Sequence, residues 1–183
     1  MAHMKAKDGT GSPVFSSWHV GVAAEAIAAA LFARCGFDIS IQYGANQPEY
    51  DLIVSHAGDL LKVSVKGSQD GGWGLAQGDI QKGSANYHAA ADEWLARHKS
   101  RTILCFVQFK DVPLTDMPRV YLATPEEVAE RLKASAKGRG DTVLWEKHAW
   151  AMGSFGAGTE DAVPTNWQFS KERVIELLRW ADS

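Results

Sequence analysis

Apolar and polar positions along the chain switch between two periods, and each switch marks an element. From Ser17 to Cys35, Val20, Ala24, Ile27 and Leu31 recur at helical spacing, with Ser16 or Ser17 to cap the start and Gly36 to stop it. Period two then takes over. FDISIQY (37–43) alternates as a strand, GANQP breaks it, and YDLIV (50–54) with LLKVSVK (60–66) reads as a hairpin about Gly58-Asp59. SQDGGWGLAQGDIQKG (68–83), rich in Gly and Gln, reads as a mobile loop. Residues 85–98 predict a second helix, and His98 and Lys99 bring positive character to its C-terminus. TILCFVQF (102–109) is a continuous apolar run of the kind found in a central strand, and RVYLA (119–123) follows it. Thr124, Pro125 and Glu127 form a capping box with proline at the first helical position, predicting a helix from Pro125 to about Ala136. The KGRG at 137–140 reads as a turn, and Ser170 caps a last helix, KERVIELLRWA. The order α-β-β-β-α-β-β-α, with that last helix in the tail, predicts an α/β fold with a mixed central sheet flanked by helices.

Composition narrows the class. With 183 residues, 45% hydrophobic and 22% charged, the chain has enough apolar material for one sizeable core. The expected organisation is a tail over 1–15, opening on the expression remnant MAHM, and a single domain over 16–183 with its core in 17–123 and a C-terminal extension in 124–183. No apolar run approaches the ~20 residues that span a bilayer, and no charged segment leads into a hydrophobic one at the start. A soluble, cytoplasmic protein without a membrane partner is expected. Cys35 and Cys105 have neither C-x-x-C nor His spacing and read as small buried hydrophobes in a reducing compartment. The net charge of -3 argues against an all-over basic surface and leaves room only for a local basic cleft.

The hairpin carries the candidate chemistry. With Gly58 and Asp59 as turn residues, Asp51 lies directly opposite Lys66, and period two puts Ser64 on the same face while Leu52, Val54, Val63 and Val65 point to the core. Taken alone, this is either a cross-strand ion pair on a half-exposed sheet or part of a site. Glu25 adds to it. It is the one charged residue between His19 and Arg34 on an alanine-rich helix, placed either at the solvent edge or against a partner or metal.

From Gly21 to Lys66 the chain resembles the PD-(D/E)XK nuclease superfamily, and within it the branch of Holliday-junction resolvases, small restriction enzymes and homing endonucleases. The carriers are Glu25 on the helix, Asp51 opening the second strand and Lys66 closing the third, in the family's helix-strand-strand-strand order. Two positions depart from the pattern. Tyr50 stands where a proline is common, and Ser64 stands where the family has an acid. The resemblance implies a restriction-endonuclease-like core and a Mg²⁺-dependent DNA endonuclease, with Mn²⁺ as a substitute metal. It places Asp51 and Glu25 as metal ligands, Lys66 beside the attacking water, and Ser64 in the vacant acid position. Past Lys66 it fades to topology.

Beyond that core, Gln69, Trp73 and their glycines read either as a loop draped over a duplex, with Trp73 against the bases, or as an ordinary loop with one anchoring aromatic. Lys82, His88, Arg97, Lys99 and Arg101 read as a phosphate-tracking edge or a solvated face. Trp145, Trp150, Trp167 and Trp180 read as core or subunit-interface residues. Cutting two antiparallel strands calls for two sites about a two-fold axis, so a homodimer or higher homo-oligomer is expected. The competing expectation is a catalytically weak or inactive relative that binds nucleic acid or serves as a protein-interaction subunit.

Overall fold

A computed structural model describes residues 15–42, 49–80, 86–98 and 101–182. Its centre is one five-stranded mixed sheet. Helix α1 (Ser17–Arg34) leads into β1 (Asp38–Ile41), β2 (Leu52–His56) and β3 (Asp59–Ser68). The short β4 (Gly72–Gly74) and helix α2 (Tyr87–Arg97) come next, followed by β5 (Thr102–Gln108), β6 (Arg119–Ala123) and α3 (Pro125–Gly138). The chain finishes with β7 (Val143–Trp145), β8 (Lys147–Ala149), β9 (Glu160–Ala162) and α4 (Lys171–Asp182). The main sheet runs β1-β2-β3-β5-β6, with β3 and β5 parallel and the other neighbours antiparallel.

Alternation along the central strands divides the core into two layers. Ile103, Cys105 and Val107 of β5, with Leu61, Val63 and Val65 of β3, pack under α1 (Ala24, Ala28, Phe32) and α4 (Val174, Leu177, Ala181). Leu104 and Phe106 point to the other face, under α2 (Ala90, Ala91, Trp94) and α3 (Val128, Ala129, Leu132). All seven residues of β5 are buried, which is why its sequence is a continuous apolar run rather than an alternating one. Phe32 and Phe106 are both fully buried, each contributing about 2–3 kcal/mol of transfer free energy.

The helix signals read from the sequence are realised in the caps. Ser16 caps α1, Thr124 Oγ1 accepts the Glu127 N–H at 3.2 Å while Glu127 Oε2 accepts the Thr124 N–H at 2.8 Å, and Ser170 Oγ accepts the Arg173 N–H at 3.1 Å. Beyond Ala134 the α3 backbone leaves the helix, with Ala136 and Lys137 at φ 50° and 59°. The buried Asp161 holds that break. Its carboxylate accepts Ser135 Oγ at 2.6 Å, the Ala136 N–H at 3.1 Å and Trp150 Nε1 at 2.7 Å, and pairs with Arg131 at 2.8 Å.

The hairpin register differs from the one expected. The closing pair is His56 with Asp59, so Ala57 and Gly58 form the turn, at φ 53° and 101°. A two-residue turn matched to the strand twist needs positive φ at both positions, and glycine fits the second of them. Leu52 therefore pairs with Val63 and Val54 with Leu61, the ladder stops there, and Asp51, one residue before it, bonds through its N–H to Val63 O instead of standing directly opposite Lys66. Parity is unchanged, so the apolar residues still face the core.

Of the expected loop over 68–83, residues 81–83 lie outside the described residues, and the part before them is corrected. Trp73 lies in β4, which pairs antiparallel with β7, and Gln77–Asp79 form a 3₁₀ turn. The small β8–β9 ladder went unpredicted as well. Among the described residues, no helix is long and apolar enough to cross a membrane.

Candidate active site

The candidate site forms where β2 ends and β3 continues. β2 pairs with β3 only as far as Leu52 and Val63, whereas β3 pairs with β5 up to Ser68 and Gln108. Lys66, Gly67 and Ser68 thus have β5 on one side and, among the described residues, no main-sheet strand on the other. Asp51 sits in that notch and bonds to both of its neighbours. Its N–H donates to Val63 O at 2.9 Å, and its carbonyl accepts the Gln42 N–H at 2.9 Å. Its carboxylate Oδ2 accepts the Val65 N–H at 2.6 Å, satisfying a main-chain donor beyond the last paired residue of β2.

Glu25 reaches the notch from above because α1 lies very close to β3. A Cβ on Gly67 would stand 2.8 Å from Val20 Cγ1 and the Val20 carbonyl and 3.0 Å from Ala24 Cβ, so only glycine allows this crossing. Glu25, next along from Ala24, is half-buried. Loss of solvent pushes its carboxyl above the ordinary Glu range, the Asp51 charge pushes it further, and Lys66 draws it back. Two carboxylates and one ammonium are therefore within electrostatic reach of one another. Ser64, 6% exposed, adds a neutral hydroxyl on β3 two residues before Lys66. Among the described residues, no three His, Cys, Asp or Glu side chains converge.

A cleft of about 330 Å³ opens beside the notch, between the first turn of α1 and the β3–β4 connection. Ser17, Val20, Lys66, Gln69 and Asp70 line it. Gln69 and Asp70 are exposed there, and Asp70 Oδ1 accepts Ser68 Oγ at 2.8 Å. Trp73 closes the cleft from beneath rather than projecting into solvent. It is 3% exposed, its Nε1 donates to Lys66 O at 2.9 Å, and its ring packs on Phe106 at 5.1 Å. It braces the Lys66 backbone, so of the two readings of Trp73 the anchoring aromatic fits and the indole set against bases does not.

The other cationic candidates separate. Lys82 and Lys99 lie outside the described residues. Arg97 is paired with Asp79, and His88 Nε2 lies 2.8 Å from Gly138 O, so both serve local packing. Gly67 is the site residue that sequence reasoning passed over, although a glycine within KVSVKGS is itself a signal of close backbone approach.

The donor set suits a hard divalent cation. Mg²⁺ takes one or two protein carboxylates and completes its shell with water and phosphate, and the carboxylate pair at Glu25 and Asp51 carries the excess negative charge that such an ion neutralises. Lys66, exposed at the cleft mouth, is placed for an anionic substrate. No protein-family model, no curated protein and no solved structure matches this chain.

Proposed function

We propose that this protein is a metal-dependent DNA endonuclease with a restriction-endonuclease-like core of the PD-(D/E)XK type, acting as a homodimer. The observation that carries the reading is electrostatic: the half-buried Glu25 carboxyl feels Asp51 and Lys66 together, from three different elements, at the open end of a sheet. Glu25 and Asp51 would hold Mg²⁺ or Mn²⁺, which supplies Lewis acidity toward the phosphate and lowers the pKa of a bound water. Asp51 is oriented for this by the Val65 N–H, which occupies Oδ2 and leaves Oδ1 without a donor among the described residues. The Lys66 ammonium orients the attacking water and offsets the charge that builds on the phosphate oxygens. Water oxygen bonds to phosphorus, the P–O bond to the leaving sugar oxygen breaks, and that oxygen takes up a proton.

Ser64 favours a second reading, in which the fold binds nucleic acid with little or no turnover, because a neutral hydroxyl stands where the PD-(D/E)XK pattern has an anionic ligand. A salt-dependent gel shift tests nucleic-acid binding in either case. Metal-dependent cleavage of supercoiled, linear and branched DNA then separates the two: cleavage supports the endonuclease, and binding without cleavage supports the second reading.

A further inference from the structure

We infer that Trp18 is a stacking platform for an unpaired base of the DNA strand whose phosphate lies at Glu25, Asp51 and Lys66, so that the substrate is single-stranded or locally unpaired DNA. The inference rests on the endonuclease reading and adds to it a substrate class and a binding residue. Trp18 and Glu25 are seven residues apart on α1, which puts them on one stripe of the helix, two turns or about 10 Å apart. Glu25 on that stripe lies within electrostatic reach of Asp51 and Lys66, so the same stripe runs from the candidate site toward Trp18. Gly21 lies between the two, and a Cβ built there meets nothing within 4 Å. Among the described residues, nothing stands over the helix at Gly21, as a strand passing along it requires.

The indole is also held in place while being left uncovered. Trp18 is 69% exposed, yet its ring is braced edge-on by His19 at 5.0 Å. His19 is fixed in turn, with Nδ1 2.7 Å from Ser16 Oγ and its ring stacked on Phe15 at 6.3 Å. Phe15 packs edge-on against Phe109, just past the end of β5. This row of rings ties the platform to the sheet, so little freedom is lost when a base lands on it. A paired base inside a duplex offers only its edges, whereas an exposed indole face needs the face of a base that has left its stack.

The test is binding of a labelled single-stranded oligodeoxynucleotide in EDTA, followed by fluorescence anisotropy, with the same sequence as a duplex for comparison. Trp18→Ala is expected to weaken single-strand binding about 5- to 100-fold, the range of one base stack, and to change duplex binding much less. Trp18→Phe is expected to recover most of the loss. Gly21→Leu, a good helix former that fills the open stretch, is expected to weaken the same binding with a thermal midpoint no lower than that of wild type. A wild type that nicks DNA with metal, together with a Trp18→Ala protein that binds single strands equally well, overturns this inference and leaves the endonuclease reading standing. A wild type that neither binds nor cleaves DNA overturns both. Trp18→Ala that lowers the oligomeric state in sedimentation without weakening strand binding assigns the indole to a protein interface and overturns the inference.

Discussion

Asp51 Oδ2 accepts the main-chain N–H of Val65 at 2.6 Å, so the candidate metal ligand is tied to the strand that carries Lys66. A charge-assisted bond to a main-chain donor in a ladder gap contributes about 2 kcal/mol. Asp51→Ala is expected to lower the urea-unfolding free energy by about that amount with an unchanged denaturant slope. Asp51→Asn keeps an acceptor and is expected to stay within about 1 kcal/mol of wild type, while losing the anion a cation needs. Equal stability of wild type and Asp51→Ala would show that the bond contributes nothing.

Glu25 gives a pH dependence with a definite sign. Folding raises its pKa, so the native state holds this proton more tightly than the unfolded chain does. The group therefore costs no stability below the ordinary Glu range, and stability is lost as pH rises through the raised value. Glu25→Gln is expected to melt with wild type near pH 3 and above it at pH 7, in thermal scans without metal. Mn²⁺ at pH 7 is expected to raise the wild-type midpoint and leave that of Glu25→Gln unmoved. A variant less stable than wild type at pH 7 would contradict the assignment.

Gly67 couples the fold to the site. A methyl group there collides with Val20 and Ala24, so Gly67→Ala is expected to lift α1 from β3 and cost about 1–3 kcal/mol. Because Glu25 rides on α1, cleavage is expected to fall at temperatures where circular dichroism still shows a folded protein. Full activity in a folded Gly67→Ala protein would separate the helix position from the chemistry.

The Asp161 network predicts the acid behaviour of the α3 break. Burial alone would raise this carboxyl, but hydrogen bonds from Ser135, Arg131, Trp150 and the Ala136 N–H outweigh it and hold the pKa at about 2. Its contribution is present above the ordinary Asp range and is lost as pH falls toward 2. Asp161→Asn is expected to cost about 3 kcal/mol at pH 7, because Arg131 loses its partner in a buried setting. The gap between the two proteins is expected to narrow as urea titrations move down to pH 2.

The sequence made the large elements legible because their signals are local. The Thr124–Glu127 capping box, the glycine after α1 and the unbroken apolar run of β5 each specify an element without distant contacts. Asp51 and Lys66 could be related because the hairpin keeps its face parity whichever turn is used, whereas Glu25 joined them only through the family resemblance. What stayed hidden depends on pairing across the chain. The turn residues were misplaced by one because the register is settled by backbone φ at Ala57 and Gly58. Gly72-Trp73-Gly74 becomes a strand only when β7, some seventy residues later, lies against it. Without that pairing Trp73 reads either as a base-contacting or as an anchoring loop aromatic, and its indole is in the core.

The central claim is that Glu25, Asp51 and Lys66 form one metal-dependent hydrolytic site, and nicking of supercoiled plasmid tests it most directly. Wild type is expected to convert supercoiled to open-circular DNA with Mg²⁺, faster with Mn²⁺, and not in EDTA. Asp51→Asn and Lys66→Ala are expected to abolish nicking, and Ser64→Glu, two residues before Lys66 on β3, to strengthen it by adding a carboxylate. Wild type that leaves the plasmid supercoiled with either metal, or nicking that persists in both Asp51→Asn and Lys66→Ala, would contradict the account.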